Sequence, residues 1–389
     1  MNETVRVQPA TAAKAERAAF NPTVHGARGL FASMVFVYHI IHSGLPGLLP
    51  ETSWLSVYLL NAFKFGVELF FGISGYVILG ALRRAPSMRS FAWDRVSRIL
   101  PLLWLTLLVI TAGSLATRRW MPSFGNWLLN FLAPPPFVSV PMLNPAAWSL
   151  GYELTFYALC AAFWVLPGRG RTRWVVMAAV LGAALLMLFP RAVLFPAGLA
   201  IAAGALAWPG VRMLSRLPFL LLLGFLVGWR AIELNYGGDM LLVTPLHLPL
   251  ASWVVALPLL AGTALLGALA LAGISAGKGA FAAILRTAPL QWLGTISFSF
   301  YLWQPAVMGP VKAALTASGL GARAGQWSQL LFALMALPVV LVIAHFSQIW
   351  IEAKLTRALR RMGPREGDAH APITATSHAP GHGAAETTA

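Results

Sequence analysis

Few ionisable side chains fall inside the long apolar stretches of this chain, and those few are the residues able to do chemistry. They are Arg28, His39 and His42 in the first stretch, Glu68 in the second, Glu153 in the fourth and His345 near the last. A charge inside a bilayer is costly, so such groups are the first candidates for a functional site. Arg28 and His39 are eleven residues apart. On a helix that is a rise of roughly 16 Å and about three turns, so both side chains point to nearly the same face. The guanidinium then sits at one membrane surface and the imidazole near the bilayer middle. A snorkelling anchor explains Arg28 equally well, and a helix-packing hydrogen bond explains His39. His42 lies one turn further out, at the interface.

The fourth stretch opens with Trp148-Ser149-Leu150-Gly151-Tyr152-Glu153. Entering from the outer side, it would place Glu153 roughly 7 Å below that surface, with His39 at roughly 13 Å from the same side. Two side chains span that gap if the helices are neighbours. A His39–Glu153 pair would hold the imidazole in one tautomer and make it a better base. A glutamate that only ties two helices together fits the position as well. Arg95 and Arg98 are three apart and share a helix face. Two guanidiniums so placed can fork onto phosphate oxygens, which suits a phosphate-bearing cosubstrate on the cytoplasmic side. An ordinary cluster of interior positive charge is the competing explanation.

The elements that must hold these residues are membrane helices. Of 389 residues, 58% are hydrophobic and only 10% charged, where a soluble domain carries about a quarter. The formal net charge of +16 comes from arginines in short clusters between apolar stretches. That is not the single basic face that binds nucleic acid. The one cysteine, Cys160, excludes a disulfide framework and a cysteine-rich metal site. It reads as a small buried hydrophobe. The first 24 residues lack the apolar core of a secretory signal. The stretch after Arg361 has no apolar periodicity and reads as a disordered tail, its histidines His370, His378 and His382 too scattered for a metal site.

Ten spans of the required length are expected, at 28–45, 59–81, 98–116, 148–167, 174–190, 192–208, 217–230, 251–273, 288–308 and 329–352. Residues 240–250 are apolar, but Pro245 and Pro249 argue against a helix there. Trp127 to Leu132 is too short to cross and reads as re-entrant or interfacial. With the N-terminus cytoplasmic, 21 of the 28 lysines and arginines fall on the inner side. The fold expected is therefore an all-α polytopic membrane protein with both termini cytoplasmic. Its segments are 1–24 (cytoplasmic), 25–355 (membrane domain) and 356–389 (disordered cytoplasmic tail).

Taken in order, several motifs resemble those of the acyltransferase-3 family. They are Arg28-x10-His39, then Leu69-Phe70-Phe71-Gly72-Ile73-Ser74-Gly75-Tyr76, then Arg95-x-x-Arg98-Ile99-Leu100-Pro101, then Trp148-Ser149-Leu150-x-x-Glu153-x-x-Phe156-Tyr157. Leu293-Gly294-x-Ile296-Ser297-Phe298-Ser299-x-Tyr301-Leu302 and Ser347-x4-Glu352 resemble the closing motifs. The resemblance spans 25–355. It implies ten spans in the bacterial cytoplasmic (inner) membrane and transfer of an acyl group, usually acetyl from acetyl-CoA. The acceptor would be a hydroxyl of a sugar-containing molecule such as lipopolysaccharide, exopolysaccharide or a glycosylated small molecule. It implies a catalytic His39, with Glu153 beside it, and donor handling by Arg28, Arg95 and Arg98. Ser74, Gly75, Trp148, Ser149 and Tyr157 would support the site. Acyl-CoA would come as cosubstrate, with no bound cofactor and no metal. Three positions depart from the pattern: His25 stands where an acid is usual, Gln304 where a histidine often follows Tyr-Leu, and Ala353-Lys354 where Arg-Pro is usual. No SGNH-type esterase domain follows, so the likeness is to the stand-alone form. The competing class is a proton-coupled transporter or flippase of a glycan or lipid-linked sugar, relaying protons through His39 and Glu153. The internal repeats and paired broken helices common in transporters are not visible in the sequence.

Overall fold

The computed structural model describes residues 20–117, 122–134, 138, 140–165, 171–236 and 249–364. The expected segment 1–24 up to residue 19, the prolines Pro135 and Pro136, most of the 240–250 run and the tail from 365, with its histidines, lie outside the described residues. Among those described, every regular element is helical. The main helices are α1 (Pro22–Ile41), α2 (Gly66–Arg84), α3 (Met88–Ala116), α4 (Phe124–Phe131), α5 (Trp148–Val165) and α6 (Arg171–Leu188). They continue as α7 (Leu194–Ala202), α8 (Pro218–Tyr236), α9 (Leu250–Ala276), α10 (Ala288–Ala317), α11 (Ser328–Ser347) and α12 (Thr356–Arg361).

Each of the ten expected spans carries a helix, but among the described residues six helical stretches are long and apolar enough to cross: Pro22–Ile41, Leu55–Arg84, Met88–Ala116, Pro218–Tyr236, Leu250–Ala276 and Leu320–Arg361. The shortfall has two physical origins. Pro190 follows directly on Phe189 and cuts the fifth and sixth stretches into short pieces. Helices α5 and α10 are diluted by Ser149, Glu153, Thr155 and Tyr157, and by Thr295, Ser297, Ser299 and Gln304. Those polar residues are largely the ones that build the site.

Helix α1 starts earlier than hydropathy suggests, because Asn21 caps it through the amides of Thr23 and Val24 and Pro22 fills the first turn, where no N–H is needed. Small residues let the central helices close up. A Cβ at Gly198 would lie 1.9 Å from the Gly72 carbonyl oxygen, and one at Gly75 would lie 2.0 Å from that of Phe195. Gly75 thus serves the α2–α7 contact. Gly29 and Gly294 do the same where α1 lies beside α10.

Two segments differ from the sequence expectation. Over its described residues, the link before α5 turns into the bundle. Asn130 accepts from the Leu143 amide and donates to the Pro141 carbonyl, and the wholly buried Asn144 donates to Leu302 O and Thr106 Oγ1. With Ala146, Ala147 and Ser149 also buried, α5 begins inside the bundle. The second difference is at residues 356–361, placed in the disordered tail by composition. They form the helix α12, docked on α3. Pro101 cannot supply the N–H that would bond the Ser97 carbonyl, and the Thr356 hydroxyl takes that carbonyl instead at 3.1 Å. Trp93 Nε1 donates to Leu359 O nearby.

Candidate active site

Helix α1 carries Arg28 and α10 runs parallel to it, the contacts stepping upward together. Arg28 Nε donates to Ser297 Oγ at 3.2 Å, and the far end of α1 brings His39 Nδ1 within 2.9 Å of Gln304 Oε1. Between them on α10 lies Tyr301, whose hydroxyl donates to Ala146 O and is 3.3 Å from Ser149 Oγ. Ser297, Tyr301 and Gln304 are spaced four and three apart, one face of one helix. The closing-motif glutamate pins this helix, since Glu352 Oε1 accepts from the Ser299 amide and hydroxyl. His25, at the departing position, bonds Gln291 O and Thr295 Oγ1 and so ties α1 to α10.

A single cavity collects most of the expected site. Arg28, Ser74, Arg95, Arg98, Ser149, Glu153 and Tyr157 line it, together with Ser297 and Tyr301 and an apolar wall that includes Val67, Phe70 and Phe71. Glu153 accepts from Ser74 Oγ at 2.8 Å and from the Tyr157 hydroxyl. Tyr157 in turn sits under the Arg95 guanidinium, 5.7 Å from its ring centre. Three arginines face one carboxylate here, an excess of positive charge suited to an anion. Gly75 and Trp148 do not line this cavity; Trp148 instead stacks on Phe71 edge-on and carries the Arg191 guanidinium 4.0 Å over its ring.

The expected His39–Glu153 hydrogen bond is not formed. Both residues are described and each has other partners: Gln304 for His39, Ser74 and Tyr157 for Glu153. Helix α5 does not start at the membrane surface, because the buried link lowers its start into the bundle. Glu153 therefore shares a chamber with Arg28, about three helical turns from the level of His39. His39 does not line that chamber; its partner Gln304 is one turn beyond Tyr301, which does. His42 stacks on Tyr38, and His345 lies near Trp292.

Two residues escaped the sequence reading. Gln304 read only as a departure, yet it is wholly buried and faces His39, with its amide nitrogen 3.5 Å from Ala32 O. Its spacing of seven from Ser297, against eleven between Arg28 and His39, was the available signal. Arg191, in a link, neutralises the wholly buried Glu68 at 2.5 Å; a partner 123 positions away leaves no local signal. Among the described residues, no group of three or more His, Cys, Asp or Glu side chains is placed to hold a metal ion.

The family model of the acyltransferase domain, the acyltransferase-3 type, matches residues 21–345. The chain is 30% identical over 291 residues to the exopolysaccharide production protein ExoZ of Rhizobium meliloti, covering 68% of this chain and 83% of that one. It is 28% identical over 389 residues to the acyltransferase MdmB of Streptomyces mycarofaciens, covering 92% and 97%. The peptidoglycan O-acetyltransferase OatA of Listeria monocytogenes is 24% identical over 341 residues, and there this chain spans 48% of the relative's length and the match 72% of its own. No solved structure matches. With a family model covering most of its length and the motif residues gathered around one cavity, this chain belongs to the acyltransferase-3 family and is a membrane acyltransferase.

Proposed function

We propose that the protein transfers an acyl group, acetyl in the simplest case, from cytoplasmic acyl-CoA to a hydroxyl of a sugar-containing acceptor. The observation that carries this is the chamber of Arg28, Arg95, Arg98 and Glu153, whose far wall at Tyr301 is one helical turn short of Gln304 and its partner His39. The donor enters from the arginine end, its phosphates held by forked guanidinium contacts. The acceptor meets it at the His39 end. Ten spans with both termini cytoplasmic, in a bacterial inner membrane, put the arginine end inside, where acyl-CoA is made.

His39 is the general base. Gln304 Oε1 accepts from Nδ1–H, which leaves the Nε2 lone pair free for the acceptor hydroxyl. As His39 takes that proton, the alcohol oxygen bonds to the thioester carbonyl carbon. Collapse of the tetrahedral adduct breaks the C–S bond, and the departing CoA thiolate takes the proton from His39. A neutral alcohol is a poor nucleophile, and a positioned base speeds its attack typically 10²–10⁴-fold. Glu153, with Ser74 and Tyr157, works on the donor side: it fixes the chamber wall and sets Tyr157 beneath Arg95. The exopolysaccharide production of ExoZ and the peptidoglycan O-acetylation of OatA favour glycan acceptors of those kinds.

The test is purified protein in nanodiscs with isotopically labelled acetyl-CoA and a panel of bacterial glycan fragments. Label moving to a sugar hydroxyl, with thiol released in step, is the expected result. Proton-coupled movement of a glycan across proteoliposomes without thiol release would replace this reading with the transporter one.

A further inference from the structure

A second basic pocket opens beside the first, between the end of α2, the start of α3 and the docked α12. Arg84, Ser90, Phe91, Asp94, Arg95 and Arg360 are among its walls. Three guanidiniums face one carboxylate, a formal excess of two positive charges. Asp94 spends both oxygens on two of them, Oδ2 on Arg95 at 2.5 Å and Oδ1 on Arg360 at 2.6 Å. Arg84 has no hydrogen bond or ion pair among the described residues, and the buried Nε of Arg95 has no hydrogen-bond partner. Arg95 lines this pocket and the main cavity alike. Arg360 reaches the pocket because of Pro101: the carbonyl that proline frees is where Thr356 anchors α12.

We propose that this pocket seats the 3′-phosphorylated nucleoside of acyl-CoA, with Arg84 and Arg360 on the 3′-phosphate. The proposal rests on the acyl-CoA reading above and extends it to a subsite on two residues outside the motifs. The order of groups along the donor matches the order of sites. A phosphorylated nucleoside comes first, then a diphosphate, then the thioester arm; the basic pocket comes first, then Arg95 and Arg98, then the chamber leading towards Gln304. A phosphate monoester carries about −1.5 to −2 near neutral pH, which the excess charge of the pocket balances. Arginine forks suit such a group better than lysine would. Helix α12 is thereby part of the donor site and not a tail.

The test compares CoA with 3′-dephospho-CoA, using full-length protein in neutral phosphatidylcholine nanodiscs and calorimetric affinities. Wild type should bind CoA about tenfold or more tightly than the dephospho form, the value of a charged hydrogen bond. Arg84→Gln and Arg360→Gln should each pull that ratio towards one, while dephospho-CoA affinity stays within about threefold of wild type. That unchanged affinity also reports that the variants are folded. Equal affinities in wild type, or a ratio that both variants keep, overturns the subsite and leaves the acyl-CoA reading standing. Binding of neither compound overturns both. A variant effect seen only in discs containing phosphatidylglycerol assigns the pocket to an anionic lipid headgroup and overturns the proposal.

Discussion

Replacing Gln304 by leucine tests whether the imidazole of His39 is held or merely buried. The side chains are similar in size, so the change removes an acceptor with little change in packed volume. Gln304 is wholly buried, and Ala32 O, 3.5 Å from its amide, offers no substitute acceptor that reaches His39 Nδ1. A buried donor left without a partner costs about 1–3 kcal/mol. If that cost falls on the tautomer that leaves Nε2 free, the turnover rate drops about 5- to 150-fold at about 1.36 kcal/mol per tenfold. The donor chamber does not include Gln304, so KM for acyl-CoA should stay within about twofold, the signature of an interaction used only in the transition state. Gln304→Glu, which keeps an oxygen acceptor at that position, should recover most of the lost rate. Thiol release from acetyl-CoA in nanodiscs gives both constants. A Gln304→Leu variant with full kcat, or one that raises donor KM as much as it lowers kcat, would refute the positioning role.

Three further outcomes are expected. Arg95→Ala and Arg98→Ala should each raise donor KM tenfold or more, with lysine a poor substitute, because a forked guanidinium contact is lost; unchanged KM in both folded variants would remove the arginines from donor binding. Gly198→Val should abolish a monodisperse, folded product, since even a Cβ there lies 1.9 Å from the Gly72 carbonyl oxygen; normal yield and melting temperature would show that α2 and α7 are not so closely packed. Reporter fusions after residue 120 and at the C-terminal end should report opposite sides of the membrane, as the distribution of Lys and Arg requires; signals from the same side would undo the orientation.

Membrane class and the meeting of the motif residues at one cavity were legible in the residues, because both rest on what short sequence stretches can carry. Hydropathy located a helix for every expected span. The motif residues Arg28, Ser74, Arg95, Arg98, Ser149, Glu153 and Tyr157 do meet at one cavity. What failed was depth. Counting residues from the first apolar position of α5 put Glu153 near His39, because nothing in Ala133 to Ala147 announces that the link turns inward. Two asparagine side chains make that turn: Asn130 ties the link to itself through the Leu143 amide, and Asn144 reaches the Leu302 carbonyl 158 positions away. Likewise α12 looked like tail, since its anchor is a carbonyl freed by a proline more than 250 residues earlier. Long-range polar contacts of this kind have no periodicity to read. Gln304 shows in the sequence only as a departure from the usual histidine; its contact with the His39 imidazole appears only in the structure.

In the proposed mechanism His39 takes the acceptor proton while the arginines hold the donor, and a single variant separates the two. His39→Ala, purified in nanodiscs, should lose acetyl transfer by at least about 100-fold, while its affinity for acyl-CoA remains that of wild type. Retention of more than about a tenth of the transfer rate, where loss of a general base costs far more, would make His39 a packing residue and remove it from the chemistry.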